Sequence, residues 1–203
     1  MARELLFGGS FDPIHVGHLI VSRFVAEQLE IDRVVLIPGA NPPHKLNQVL
    51  APAEDRLAMC RLAVADDPSF AVSDWEIRQG SITYTLHTVR HFLRSDPANT
   101  ELYWLVGMDS LVELGTWYRV GELVELCTVV TAGRPGFEEP DLSGLAGPLS
   151  AEQIERLRRS VVESPLVDVS STDIRQRVRA GKSIRYLVPE AVRAYVGECG
   201  LYV

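Results

Sequence analysis

Residues 4–18 read ELLFGGSFDPIHVGH. The apolar run Leu5-Leu6-Phe7 stops at Gly8-Gly9-Ser10, and His15 and His18 follow with only Val16 and Gly17 between them. A short strand that runs into a glycine turn and then into a helix is how an open parallel sheet begins, and in such sheets ligands bind beyond the carboxyl ends of the strands. At that edge Gly8 and Gly9 clear space for backbone N–H groups to approach an anion. A helix opening at Gly17 adds unpaired N–H donors and roughly half a positive charge, which favour a phosphate. His15 just before that helix and His18 in its first turn are placed to face the same anion. A P-loop is excluded, because G-x-x-x-x-G-K-[ST] needs a lysine and a hydroxyl after its second glycine.

Short β-rich runs at residues 4–7, 33–37, 70–72, 102–106 and 129–131 alternate with helical patterns at 17–29, 52–65, 85–94 and 121–126. Val34-Val35-Leu36-Ile37 has no polar alternation, which suits a parallel strand covered on both faces. The expectation is an α/β fold with a doubly wound parallel sheet. Residues 133–150, GRPGFEEPDLSGLAGPLS, are rich in Gly and Pro without a period and read as a long surface loop. Beyond it, 151–159, 172–180 and 189–197 read as helices closing the chain. A length of 203 residues, 46% of them hydrophobic, fits one domain over 1–203, with a helical segment from about 151 to 203 packed on it.

Composition narrows the partners. A net charge of −7 with both signs interspersed lacks the basic footprint that a polymeric nucleic acid requires, whereas a small anion needs only a few local cations. Cys60, Cys127 and Cys199 are far apart, with neither a C-x-x-C pair nor a disulfide framework, so a reducing cytoplasm is expected. No stretch approaches the ~20 apolar residues of a membrane span, and Leu5–Phe7 is too short for a signal peptide core. Taken alone, two histidines three apart are ordinary surface or core residues, or part of a metal site. Zinc would need a third ligand, which His44, His87 and His91 do not obviously provide, so no protein-held metal is expected. The strand, the glycines and the helix start point to an anion instead.

At this point the sequence resembles a known family. GGSFDPIHVGH is similar to the signature of the H-x-G-H nucleotidyltransferase superfamily, whose sheet is Rossmann-like, and nearly the whole chain resembles bacterial nicotinate-nucleotide adenylyltransferases. The further blocks are NPPHK at 41–45, TYT at 83–85, VGMDS at 106–110, TWY at 116–118, GRPG at 133–136 and VSSTDIR at 169–175. Ser10 stands where threonine is usual, Thr83 where serine is usual and Leu86 where alanine is common; the first two keep a hydroxyl, and the third bears on the base pocket.

The resemblance implies adenylyl transfer from ATP to nicotinate mononucleotide, giving nicotinate adenine dinucleotide and pyrophosphate. It implies that Gly8, Gly9, Ser10, Phe11, His15, His18, Ser171, Thr172 and Arg175 bind ATP, with His15, His18 and Arg175 stabilising charge and Mg²⁺ carried in on the nucleotide. Lys45 would meet a phosphate, Thr85 and nearby N–H groups the nicotinate carboxylate, Asp109 a ribose hydroxyl, and Trp117 the pyridine ring. On the residues alone, Ser171 or Thr172 is equally a helix N-cap, Asp109 a cap, Trp117 a packed aromatic and Lys45 a solvated cation. A nicotinamide-mononucleotide enzyme, another H-x-G-H transferase and a silent nucleotide-binding protein are the alternatives, and the oligomeric state is open, a homo-oligomer included. Residues 41–45 and 133–150 are expected to become ordered when ligand binds.

Overall fold

The computed structural model describes residues 2–40, 49–95, 100–133, 136 and 140–203; the NPPHK block, with Lys45, lies outside them. The strands are β1 (Ala2–Gly9), β2 (Arg33–Pro38), β3 (Phe70–Val72), β4 (Thr100–Gly107), β5 (Thr128–Gly133) and β6 (Val161–Glu163), in the sheet order β3-β2-β1-β4-β5-β6. That is the doubly wound order, with its switch between β1 and β4, so the glycine turn after β1 stands where such sheets bind ligands. The helices are α1 (Val16–Gln28), α2 (Ala53–Ala63), α3 (Trp75–Gln79), α4 (Thr85–Ser95), α5 (Met108–Val112), α6 (Val120–Leu126), α7 (Ala151–Arg159), α8 (Ser171–Arg179) and α9 (Glu190–Glu198). The chain divides into two compact units: Met1–Gly8, Ser22–Val34 and Tyr84–Leu166 form the first, and Gly9–Val21, Val35–Thr83 and Val167–Val203 the second.

In the first unit β1, β4, β5 and β6 pair in parallel, with Leu6 opposite Trp104, Leu105 opposite Val130 and Ala132 opposite Val162. Leu102 to Val106 are all buried, as the centre of a covered parallel sheet requires. The strand β6 and the short helices α3 and α5 are absent from the sequence expectation, because three to five residues are too few to display a period. β6 is held by pairing and by Ser164, whose N–H and Oγ–H both donate to the Gly133 carbonyl, at 2.8 and 3.0 Å. The Gly/Pro-rich segment also departs from a plain surface loop. A single 3₁₀ turn, Ser143–Leu145, buries Leu142, Leu145 and Leu149, so its second half is anchored by apolar side chains.

In the second unit β2 carries the apolar run, and Val35, Leu36 and Ile37 are buried as expected. Leu57, Met59 and Cys60 of α2 and Val192 and Val196 of α9 are buried too, while the Tyr195 hydroxyl donates to Asp55 Oδ1 at 2.8 Å and joins the two helices.

The two glycines after the apolar run have packing reasons of their own. A Cβ on Gly8 would lie 2.7 Å from the indole of Trp104, and one on Gly9 would lie 3.1 Å from the Phe11 ring. Overpacking against a rigid ring costs about 1–3 kcal/mol. Gly8→Ala should therefore lower the urea unfolding midpoint by that equivalent, and an unchanged midpoint would remove the indole contact as the reason for glycine.

Candidate active site

The second unit gathers most of the predicted anion site around one loop. Gly9 to Pro13 leaves β1, α1 begins at Val16, and α8 begins at Ser171. Phe11 is buried and held in the left-handed region at φ 46°, a conformation that costs energy for a residue with a Cβ. Its ring meets the edge of His18 at 5.1 Å between centroids.

The two imidazoles form a stack, with centroids 3.7 Å apart and planes at 27°. A Cβ at Gly17 would lie 3.0 Å from His15 Nδ1 and crowd this stack. The His15 main-chain N–H donates to His18 Nδ1 at 3.2 Å, so a neutral His18 carries its proton on Nε2. Burial depresses the His15 pKa from 6.5 to about 4, because desolvation penalises the charged ring. Its Nδ1 has no hydrogen-bond partner among the described residues, and buried polar atoms left so are uncommon away from functional sites. His15 is thus a neutral ring at physiological pH, a donor or acceptor and not a cation.

Positive charge comes from arginines. Arg175 Nη1 donates to the Asp12 carbonyl at 2.7 Å and lies 3.6 Å from Asp12 Oδ2, while Nη2 donates to Thr172 Oγ1 at 3.3 Å. The Ser171 hydroxyl donates to the Pro13 carbonyl at 2.9 Å and ties α8 to the loop. Capping falls to a neighbour: Ser170 Oγ accepts from the Asp173 N–H at 3.1 Å, so the cap is neither Ser171 nor Thr172.

Sequence reasoning missed Arg56, which is buried on α2. Its Nε donates to the Ala51 carbonyl, Nη1 to those of Ser10 and Gly39, and Nη2 to that of Ala40, at 2.7–3.1 Å. The signal was present, because Arg56 precedes the core residues Met59 and Cys60 by three and four positions and so occupies the buried face of the helix. Asp12, also buried, accepts at Oδ1 from the Ala51 N–H at 3.1 Å and from the Tyr202 hydroxyl at 2.8 Å.

The other predicted residues lie in the first unit. Thr85 opens α4, Asp109 stands exposed in the first turn of α5, and Trp117 is half-buried just after the 3₁₀ turn Leu114–Thr116. The cap residue of α5 is Gly107, not Asp109. Tyr84 and Tyr118, unnamed by the sequence reading although both sit inside the TYT and TWY blocks, stack at 4.7 Å and join those blocks, with the His87 ring edge-on to both. Gly8 also belongs to this unit. Among the described residues no group of three or more His, Cys, Asp or Glu could hold a metal ion.

A family model described as cytidylyltransferase-like matches residues 6–177. A protein of Dehalococcoides mccartyi strain CBDB1, named "Probable nicotinate-nucleotide adenylyltransferase", is 40% identical over 199 residues, which cover 97% of this chain and 95% of that protein. One of the same name from Exiguobacterium sibiricum is 42% identical over 198 residues, 97% of each. The fold is also that of a Plasmodium falciparum nicotinic acid mononucleotide adenylyltransferase complexed with NaAD, with a TM-score of 0.76 at 16% identity, covering 100% of this chain and 98% of that one.

The neutral state of His15 has a measurable consequence. The unfolded chain takes up a proton near pH 6.5 and the folded chain only near about 4, so this group's stabilisation is complete above pH 6.5 and is lost as pH falls through about 4, roughly 3 kcal/mol in all. Imidazole NMR should show no His15 titration between pH 5 and 8, and His15→Gln should flatten the stability slope between pH 6.5 and 4. A midpoint near 6.5 would contradict the neutral ring.

Proposed function

The chain belongs to the cytidylyltransferase-like family, and we propose that it transfers AMP from ATP to nicotinate mononucleotide, giving nicotinate adenine dinucleotide and pyrophosphate. The observation that carries the chemistry is the convergence of His15, His18, Ser171, Thr172 and Arg175 on one loop in the second unit. The attacking group is the 5′-phosphate of the mononucleotide. It is already ionised, so no general base is needed, and catalysis reduces to alignment and to stabilising charge on the α-phosphate and the leaving pyrophosphate.

We assign the roles as follows. His18 donates from Nε2 to an α-phosphate oxygen, and neutral His15 supplies a second contact beside it. Ser171, Thr172 and Arg175 take the β- and γ-phosphates, and Gly8, Gly9, Ser10 and Phe11 shape the loop on which the nucleotide lies. Lys45 would add a phosphate contact. In the first unit Thr85 reads the nicotinate carboxylate, Trp117 stacks on the ring, and Asp109 holds a ribose hydroxyl. The described residues form no cation cage, so we take Mg²⁺ as part of the Mg·ATP substrate and route no step through a protein-held ion.

We treat residues 1–203 as one nucleotidyltransferase domain, supported by a family match that spans both units. We take the cytoplasm as its setting, which the free thiols of Cys60, Cys127 and Cys199 support. Among the described residues no helix is long and apolar enough to cross a membrane, and the net charge of −7 argues against a polymeric nucleic-acid partner.

His18→Ala should lower kcat by about 10²–10³, the cost of one donor lost from a developing oxyanion, with the fold retained. Near-native turnover would remove His18 from the chemistry. Acceptor choice is the second test. A pocket of N–H and hydroxyl donors gains charge-assisted bonds with the acid and meets donor against donor at an amide, at about 1–3 kcal/mol per mismatched group. The ratio of kcat/KM for nicotinate over nicotinamide mononucleotide should be roughly 10²–10⁴, and Thr85→Val should narrow it. Values within a few-fold, or an amide preference, would refute acid selectivity and leave adenylyl transfer standing.

A further inference from the structure

The last turn of the chain reaches the nucleotide loop. Tyr202, next to the C-terminal residue, is held at φ 68°, a left-handed conformation that residues with a Cβ rarely adopt. A contact must hold it there, and its side-chain hydroxyl donates to Asp12 Oδ1 at 2.8 Å. Asp12 lies beside two guanidiniums of unequal freedom. Arg56 directs its Nε, Nη1 and Nη2 donors to the carbonyls of Ala51, Ser10, Gly39 and Ala40. Arg175 reaches Asp12 Oδ2 only at 3.6 Å, too far for a hydrogen bond, and Oδ2 has no hydrogen-bond partner among the described residues.

Arginine and a carboxylate frequently close into a bidentate pair, and holding the carboxylate from its other side opposes that closure. Oδ1 is held from that side, by the Ala51 N–H at 3.1 Å and by Tyr202. We propose that Tyr202 is a positioning residue for Arg175: its hydroxyl fixes the Asp12 carboxylate so that Arg175 is attracted to it without being captured, and the guanidinium stays available to the triphosphate. Burial, and then the Asp12 carboxylate, push the Tyr202 phenol above its ordinary value, so the hydroxyl remains a donor throughout the neutral range. The Thr172 contact and the Asp12 carbonyl keep Arg175 facing the same way.

This inference rests on the proposal that the site binds ATP, and the test separates the two. Calorimetry with Mg²⁺ and the non-hydrolysable analogue α,β-methylene-ATP gives Kd for the unaltered chain, Tyr202→Phe, Arg175→Ala and the double variant. Tyr202→Phe keeps the ring and loses only the hydroxyl. It should weaken binding about fivefold or more alone, and by no more than about twofold once Arg175 is alanine, because the two act on one contact. Deletion of Leu201–Val203 should give the same coupling, and it keeps the inference refutable if the phenylalanine variant does not fold. Unchanged binding in Tyr202→Phe, or equal loss with and without Arg175, overturns the positioning role. An unaltered chain that does not bind the analogue overturns the ATP-site proposal beneath it.

Discussion

The guanidinium of Arg56 is buried, and Nε, Nη1 and Nη2 donate to main-chain carbonyls at Ser10, Gly39, Ala40 and Ala51. Those carbonyls come from the loop after β1, from the chain leaving β2, and from the approach to α2. Each would cost about 1–3 kcal/mol if buried without a donor, and an arginine head offers a fork rigid enough to serve several at once. Burial lowers the Arg56 pKa, with Asp12 the largest opposing influence, so the cation is kept by a counter-ion and by the carbonyls together. The loop after β1 is therefore set by a polar centre. Breaking one partner of such a buried set costs far more than the set contributes.

From that centre the chemistry divides between neutral and charged groups. Under the proposed function, Arg175 is the cation that meets the β- and γ-phosphates and so the charge that grows on the leaving pyrophosphate. The stacked histidines differ. Burial keeps His15 neutral, so under the proposed function this ring acts through a directed hydrogen bond and not as a charge. Neutral donors aimed at an oxygen strengthen as charge grows on it, which is the behaviour a catalyst needs. Gly17 belongs to this arrangement because a Cβ would crowd the His15 ring. The spacing H-x-G-H thus has a steric meaning in addition to a chemical one.

Much of this was legible in advance because its signals are local. The apolar run of β2, the helix opening near Gly17 and the hydroxyl-rich start of α8 announce themselves within a few residues, although the cap itself fell one residue earlier, on Ser170. What escaped was short or non-local. β6 is three residues that become a strand only by pairing with β5. Leu142, Leu145 and Leu149 sit at irregular spacing in a Gly/Pro-rich segment, so their burial is set by the partners they find. Gly8 and Gly9 looked like clearance for an anion, and the structure adds Trp104 and Phe11 as reasons no sequence window contains together. Arg56 reads as a solvent-facing charge until its helical face is considered, and Tyr202 lies 190 residues from the aspartate it holds.

Under the proposed function the histidines act as donors in a single direct displacement and not as nucleophiles that carry the adenylyl group. The most direct measurement is the stereochemical course at the α-phosphorus, using ATP with a sulfur of defined configuration there and reading the configuration of the dinucleotide product. One in-line transfer inverts the centre, and inversion is the result predicted here. Retention would mean two displacements through an adenylylated side chain, and would contradict the roles given to His15 and His18.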